Sequence, residues 1–329
     1  MKSNIANTVT QPLSISPQEP VSLSVLPGQK AFLELPDDCV RTFIQQEKPT
    51  LTGIFSSDGN RRMVMAFTGL TPKNDAFYEE YVRIGTLYFM NALEVFFSHG
   101  VCNLFFPLFG ASLLHRDDKY KEKAMKGLLF ALFREQKWLE FYNRYGIRVK
   151  AYGKPSILDK EFPLDQPYKD ILNTIELTKF NTAHTLYYGF FSHPWPFVEI
   201  LRKRETSQAL LKEDPDLDEL IELYYGEKIP IADFFINSMH SGGFGVVPPF
   251  MAGKDTRMYT SPVPGVYAID KNMFRKILYD LIIRVPEYQS PDFQYSESPD
   301  LLRDYFESNR NMISGCRKKV GDFWVLDFE

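Results

Sequence analysis

The segment Asp58-Gly59-Asn60-Arg61-Arg62 joins an acid, a glycine and two adjacent arginines directly after an apolar stretch, residues 51–55. A glycine lets the backbone turn tightly and approach a ligand, and arginines offer forked donors to phosphate oxygens. The Asp58 carboxylate can hold a magnesium ion or accept a proton from an attacking nucleophile. The segment therefore predicts a site for a phosphorylated ligand, although an Asp-Gly turn with two solvated arginines fits the same spacing.

The elements that must position this segment alternate between strand and helix. Apolar runs bounded by turn residues predict six strands, at 51–55, 101–109, 147–152, 185–191, 232–236 and 265–269. Apolar residues at helical spacing predict helices at 76–99, 117–145, 166–183, 196–212, 216–226, 271–284 and 298–311. A final aromatic strand is predicted at 322–326. This alternation predicts an α/β fold with a mainly parallel six-stranded sheet flanked by helices.

Ligands of parallel sheets bind beyond the carboxyl ends of the strands. That rule places residues 56–62, 107–118 and 237–261 on one rim. Tyr81 falls on the apolar face of helix 76–99 and can reach this rim or serve as a core tyrosine. Arg116 follows the second strand and can reach a phosphate, with a surface arginine as the alternative.

Bulk composition sets limits on function. The chain has 329 residues, and its 38 basic and 42 acidic residues give a net charge of -4, which disfavours a broad nucleic-acid surface. Aromatic residues make up 15%, which fits either a Phe-rich core or an aromatic-lined pocket. Residues 1–29 predict a flexible tail, and residues 30–329 a single domain. Without a signal sequence, a long apolar run or a cysteine framework, we expect a cytoplasmic protein.

The chain resembles the cis-prenyltransferases, the undecaprenyl diphosphate synthase family, over about residues 50–285. Its Phe55 to Arg62 stretch resembles the signature in which an Asp-Gly-Asn and an arginine bind an allylic diphosphate. Ordered matches follow at 98–109, 145–149, 178–181 and 187–189. The resemblance implies a prenyl diphosphate substrate and a homodimer.

One branch of the family, represented by tuberculosinyl adenosine transferase (tuberculosinol synthase), is more similar still. The matching stretches are Asp58-Gly59-x-Arg61-Arg62, Tyr78-Glu79-Glu80-Tyr81, Leu113-Leu114-x-Arg116-x-Asp118-x-Tyr120, Tyr224-Tyr225-Gly226-Glu227, residues 232–236, 241–254 and 275–280, and Gly321-Asp322-Phe323-Trp324. In that branch, the aspartate matching Asp58 and the tyrosine matching Tyr81 sit at the reacting carbon. The resemblance therefore implies that Asp58 and Tyr81 are catalytic.

The sequence departs from the family after the fifth strand. Where cis-prenyltransferases carry Arg-Thr-Gly-Gly-Glu, whose glutamate helps to hold magnesium, this chain has residues 237–244, Asn-Ser-Met-His-Ser-Gly-Gly-Phe. Loss of the arginine and the glutamate argues against chain elongation. It also leaves open whether magnesium takes part, with Asp58 as its candidate ligand.

Further candidates come from the loops. Gly59, Asn60, Arg61, Arg62 and Arg116 are expected to bind diphosphate. Gly243 is also expected to bind diphosphate, as part of a backbone nest of N–H groups, and a flexible glycine loop is the alternative. Lys254 and Arg257 are expected to close over the diphosphate, and solvated charges are the alternative. The substrate pocket is predicted to include Tyr78, Asn181 and Phe244, although a buried amide explains Asn181 equally.

Three functions follow from these patterns. The leading hypothesis is an enzyme that ionises an allylic prenyl diphosphate, diterpenoid and linear or already cyclised. It would release diphosphate and yield a terpene alcohol, an olefin or a prenylated small molecule, with water or a small-molecule nucleophile as co-substrate. The alternatives are a chain-elongating cis-prenyltransferase that uses isopentenyl diphosphate, and a non-catalytic binding subunit with the same fold.

Overall fold

The computed structural model of this chain describes residues 28–192, 216–238, 247–283, 299–310, 316–321 and 323–327. Several predicted features lie outside these residues: the tail up to residue 27, the helix at 196–212, and the loop residues Gly243 and Phe244. Within the described part of the chain, no helix combines the length and the apolar character needed to cross a bilayer.

A six-stranded, all-parallel sheet lies at the centre of the described chain, in the order β3-β4-β2-β1-β5-β6. Its strands are β1 Thr52–Ser56, β2 Asn103–Phe109, β3 Ile147–Gly153, β4 His184–Phe190, β5 Phe234–Ser238 and β6 Arg257–Ser261. All residues of β1 and β5 are buried, as expected for strands covered on both faces. The predicted fold class is confirmed.

Helices cover the sheet and bury two apolar clusters. They are α1 Gln29–Glu34, α2 Asp37–Glu47, α3 Asn60–Thr68, α4 Phe77–Ser98, α5 Asp118–Tyr120, α6 Lys126–Arg134, α7 Gln136–Arg144, α8 Leu158–Glu161, α9 Pro167–Thr178, α10 Leu217–Tyr225, α11 Lys271–Ile283 and α12 Pro299–Asn309. A π-helical turn, Lys121–Met125, joins α5 to α6. A separate antiparallel hairpin pairs β7 Arg317–Val320 with β8 Phe323–Leu326.

The predicted sixth strand at 265–269 is wrong. Residues Gly265–Ala268 form a 3-10 turn, because Gly265 takes the left-handed conformation with φ of +65°. The sixth strand is instead Arg257–Ser261, whose residues are mostly polar and are partly or fully exposed because β6 is an edge strand. An edge strand lacks the apolar run by which a central strand is found in a sequence.

Two helix predictions also need correction. The single helix predicted at 117–145 is interrupted at Glu135, whose backbone is extended with ψ of 127°. In addition, α3 starts inside the segment that the sequence indicated only as a turn, because Gly59 at φ of +86° is its N-terminal cap. The arginines of that segment therefore lie in the first turn of a helix.

A buried polar network joins the N-terminal helices to α4 and α11. Arg275 on α11 is only 1% exposed and donates to the carbonyls of Leu33 and Leu35, to Asp37 Oδ1 and to His99 Nε2. His99 Nδ1 lies 2.8 Å from the Val95 carbonyl. His99 must therefore be neutral, since its Nε2 accepts a hydrogen bond from the Arg275 guanidinium while its Nδ1 donates one to the Val95 carbonyl.

This network predicts a pH-dependent stability. Burial lowers the pKa of His99 below its ordinary value of 6.5, and the Arg275 and Lys271 charges lower it too, against opposing effects of the Val95 carbonyl and Asp37. Below about pH 6.5 the unfolded chain therefore binds more protons, so the free energy of unfolding falls as pH falls. Urea unfolding at a series of pH values measures this loss.

Two variants isolate the contribution of His99. His99→Gln should flatten the dependence just below about pH 6.5, where His184, whose pKa burial also lowers, contributes to what remains. Carboxylates with lowered pKa values, such as Asp37 and Glu227, add their loss of stability at more acidic pH. His115→Gln, at an exposed histidine, should leave the dependence unchanged. Equal slopes in the wild type and in His99→Gln would contradict the assignment.

Candidate active site

A cavity of about 370 Å³ opens beyond the carboxyl ends of β1 and β2. This charged cavity is lined by Ser56, Ser57, Asp58, Gly59, Asn60, Arg61, Arg62, Tyr81, Pro107, Leu108, Gly110, Ser112, Leu113, Arg116, Tyr120 and Asn237. The first two predicted rim segments, 56–62 and 107–118, do meet here. Three arginines and one aspartate give the described lining residues a formal charge of +2.

The Asp58 turn is held in place by the end of β5. Ser238 Oγ accepts a hydrogen bond from the Asp58 N–H and donates one to the Asp58 carbonyl, both at 2.8 Å. Ser238 itself is completely buried. The backbone of the catalytic candidate is therefore fixed by a side chain 180 residues away in the sequence.

A second anchor comes from the 3-10 turn at Gly265–Ala268. The Gly265 N–H donates to the Asp58 carbonyl at 2.5 Å, and the Val266 N–H donates to Asn60 Oδ1 at 3.0 Å. A Cβ on Gly265 would lie 2.3 Å from Asn60 Oδ1, so the close approach requires glycine. Asn60 thus has a structural role that its motif did not reveal: it ties the loop to this turn.

The cationic side of the cavity is organised by Tyr120. The guanidinium carbon of Arg61 lies 5.6 Å from the centre of the Tyr120 ring, and that of Arg116 lies 6.0 Å from it. Cations are attracted to aromatic faces at such distances. Arg61 and Arg62 also occupy the first turn of α3, where the N–H groups and the helix dipole favour an anion. The arrangement suits a multiply charged anion such as diphosphate.

Tyr81 lies at the inner wall of the cavity and is only 6% exposed. Burial raises the pKa of Tyr81 well above its ordinary value of 10.0; the neighbouring Tyr120 and the Asp58 charge raise it further, while Arg61 lowers it. Tyr81 therefore keeps its proton at neutral pH and can donate a hydrogen bond. It cannot serve as the base, which leaves Asp58 as the proton acceptor among the described lining residues.

A second, apolar cavity of about 40 Å³ adjoins the first between α4, α6 and the sheet. Asn60, Tyr81 and Leu108 line both cavities, so the two meet at these residues. The rest of the apolar cavity is lined by Gly85, Thr86, Phe89, Phe106, Leu128, Leu132 and Val266. A ligand with a charged head and a hydrocarbon tail therefore fits the pair of cavities.

Some predicted site residues lie elsewhere. Lys254 and Arg257 precede or begin β6 at the amino edge of the sheet, where the Arg257 N–H donates to the Asp233 carbonyl. Because β5 and β6 are parallel, the chain returns to that edge before β6 starts. The structure thus corrects the expectation that these two residues reach the diphosphate. Arg257 instead pairs with Asp280 at 3.2 Å.

Asn181 and Tyr78 also do not line the described cavity. The Asn181 amide donates to the Ile147 carbonyl at 2.9 Å and to Asn143 Oδ1 at 3.0 Å, at the amino end of β3. The alternative of a structural amide is therefore the correct one. Tyr78 is buried against Tyr120, with ring centres 6.4 Å apart, and supports the cavity wall indirectly.

Three residues at this site are not among the predicted catalytic or binding residues: Tyr120, Asn237 and Ser238. Tyr120 belongs to the motif Leu113-Leu114-x-Arg116-x-Asp118-x-Tyr120, within which no individual role was predicted for it. Its spacing of four from Arg116 was the available signal that the two side chains could meet. Nothing local marks Ser238, because its function depends on a partner from another strand.

Solved structures identify the architecture. A lavandulyl diphosphate synthase from Lavandula x intermedia, solved with dimethylallyl diphosphate, matches with a TM-score of 0.55 at 14% identity over 73% of this chain and 98% of its own. A probable undecaprenyl diphosphate synthase from Campylobacter jejuni matches with a TM-score of 0.52 at 16% identity, over 72% and 97%. The chain has the cis-prenyltransferase fold. At these identities, the likeness concerns the fold alone.

Two relatives resemble this cis-prenyltransferase-fold chain in sequence. Tuberculosinyl adenosine transferase of Mycobacterium tuberculosis (strain CDC 1551 / Oshkosh) is 26% identical over 309 residues, 92% of this chain and 99% of the relative. (+)-Kolavelool synthase of Herpetosiphon aurantiacus is 27% identical over 288 residues, 86% and 91% respectively. No protein-family model matches the chain. The resemblance inferred from the motifs is confirmed.

The Ser238 anchor generates a prediction. Ser238→Ala removes a fully buried hydroxyl and its two hydrogen bonds to the part-buried Asp58 N–H and carbonyl, so we expect the free energy of unfolding to fall by about 1–3 kcal/mol. Ser112→Ala, at an exposed serine of the same cavity, should change it by less than about 0.5 kcal/mol. Urea unfolding of both variants provides the measurement, and indistinguishable variants would refute the anchor.

Proposed function

We propose that this chain is a terpene synthase or prenyltransferase-type enzyme that ionises an allylic prenyl diphosphate. The observation that carries the proposal is the pairing of two cavities. Arg61, Arg62, Arg116 and the start of α3 surround a single carboxylate, and an apolar cavity opens next to it at Tyr81. The names of the two relatives, a tuberculosinyl transferase and a kolavelool synthase, support a diterpenoid substrate, linear or already cyclised.

The first step is cleavage of the allylic C–O bond. Its electron pair leaves with the diphosphate, whose growing charge is stabilised by the three arginines and by the N–H groups at the start of α3. The carbocation that remains lies beside the Tyr81 ring, where the apolar cavity with Phe89 and Phe106 begins, and aromatic faces attract cations. Ionisation thus needs positive charge on one side of the bond and π-electrons on the other.

The second step traps the carbocation. Water or a small-molecule nucleophile forms the new bond to carbon, and its proton passes to the Asp58 carboxylate. The protonated Tyr81 hydroxyl donates a hydrogen bond that orients the nucleophile or the leaving oxygen. Without a nucleophile, loss of a proton from the carbocation gives an olefin instead.

A magnesium ion is implied by the fold, and the donor set is compatible with one. Asp58 is the only carboxylate among the described residues that line the cavity. Magnesium commonly binds through one or two carboxylates together with substrate phosphates. Asp58 would hold the ion, which would neutralise diphosphate charge. The homodimer implied by the resemblance stays a prediction.

Diphosphate release tests the proposal. The wild type is incubated with geranylgeranyl diphosphate and with bicyclic diterpenyl diphosphates, and released diphosphate is measured. Asp58→Asn keeps the shape but removes the proton acceptor, so kcat should fall by about 10²–10⁴. Asp118→Asn, at an exposed aspartate on α5, should keep the wild-type rate. No release by the wild type from any of these substrates, beside an active control enzyme, would exclude the function.

Chain elongation, the alternative reaction, has a separate test. Ser238, which stands where elongating enzymes have part of their Arg-Thr-Gly-Gly-Glu run, is committed to the Asp58 backbone. We therefore expect radiolabelled isopentenyl diphosphate to give no longer products with any allylic primer. Incorporation of label would establish elongation in place of the proposed reaction. If Asp58→Asn changed neither activity nor complex formation, a binding subunit would be favoured.

A further inference from the structure

Gly85 is an unexplained glycine in the middle of α4, a helix of 22 residues. Glycine destabilises a helix interior relative to alanine. Gly85 is not among the glycines with positive φ, so its backbone accepts any residue. A Cβ built on it meets nothing within 4 Å. Neither backbone conformation nor packing therefore requires glycine at this position.

The facing helix offers a contrast. Gly127 on α6 would place a Cβ 2.6 Å from a methyl group of Val82, so tight packing of α4 on α6 explains that glycine. Gly85 points to open space instead, and that space is the apolar cavity that it lines. The missing side chain enlarges the cavity rather than closing a helix contact.

The position of Gly85 along α4 defines which part of a ligand it meets. Tyr81, Gly85 and Phe89 are spaced by four and share one helix face. Tyr81 lines both cavities, whereas Gly85 and Phe89 line only the apolar one. Phe89 stacks on Phe106 with ring centres 4.2 Å apart, which closes the far end. Gly85 is thus the gap between two aromatic side chains, one turn beyond the charged cavity.

We propose that Gly85 is a specificity-determining residue, whose missing side chain makes room for the part of the prenyl group beyond its allylic end. The inference rests on the proposed function and adds to it the residue that limits substrate size. The apolar cavity of about 40 Å³ holds only part of a diterpenyl group, so the flexible side chains around it must move. Leucine, phenylalanine and threonine side chains can rotate aside, but a Cβ introduced at residue 85 is fixed by the helix backbone and would stay in the space.

The experiment compares Gly85→Leu and Gly85→Ala with Asn91→Leu, which adds the same side chain at an exposed position of α4. The substrates are dimethylallyl, geranyl, farnesyl, geranylgeranyl and bicyclic diterpenyl diphosphates, and kcat/KM comes from diphosphate release. Inorganic diphosphate serves as a competitive inhibitor that reports on the charged cavity alone.

For Gly85→Leu we expect kcat/KM to fall by about 10-fold or more with the diterpenyl substrates and to stay unchanged with the shortest substrates that the wild type turns over. Inhibition by inorganic diphosphate should not change. Gly85→Ala should give a smaller loss in the same order and raise the melting temperature, since nothing crowds its methyl group. If Gly85→Leu has a lower melting temperature than the wild type, its loss of activity could come from destabilisation. In that case the dependence of the Gly85→Ala loss on substrate length tests the proposal.

Two outcomes would overturn the inference in distinguishable ways. An active wild type with an equal loss for every chain length, or no loss at all, excludes Gly85 as the size determinant and leaves the proposed function standing. A wild type that releases no diphosphate from any substrate excludes both. Asn91→Leu should match the wild type throughout, and a length-dependent loss in that variant would likewise count against Gly85.

Discussion

Among the described residues, three guanidinium groups share one cavity with a single carboxylate, and this concentration of positive charge is the constraint around which the site is built. Like charges repel unless something lies between them or binds to them. The ring of Tyr120 faces both Arg61 and Arg116 and lowers that cost. A diphosphate would complete the neutralisation, so the charges that repel one another favour an anionic ligand.

A cavity of this kind can stabilise a developing charge only if the backbone of its loop keeps a fixed position. Asp58 and Asn60 are held by hydrogen bonds from β5 and from the 3-10 turn that starts at Gly265, so the loop is fixed from two sides. Preorganised donors stabilise a developing charge without having to reorient during the reaction. The rigidity of the loop is therefore part of the chemistry.

The two cavities meet at a boundary between charged and apolar surroundings. Charged groups surround one side, where we propose that the diphosphate binds, and apolar side chains of α4, α6 and β2 surround the other. Tyr81 stands at the boundary with a buried hydroxyl whose raised pKa keeps it protonated. Cleavage at this boundary separates an anion from a carbocation, and each is left in the environment that stabilises it.

The sequence by itself determined the α/β class, five of the six strands to within two residues at each end, and the Asp58 segment as part of the charged cavity. These features are local: the apolar run of β1 and the Asp-Gly turn that follows it are contiguous, and parallel strands share one functional rim. The resemblance to the family added Tyr81 to the predicted catalytic residues. The helical spacing of Tyr81 alone was equally compatible with a tyrosine of the apolar core.

Tertiary structure decided which cations reach that rim. Arg116 follows a strand's carboxyl end and lines the cavity, whereas Lys254 and Arg257 lie at the opposite edge because a parallel β6 must begin there. It also selected Ser238 and Val266 as supports for residues 180 and 206 positions away. Chain reversal and distant pairing depend on how the elements are stacked, and no local pattern of residues encodes them.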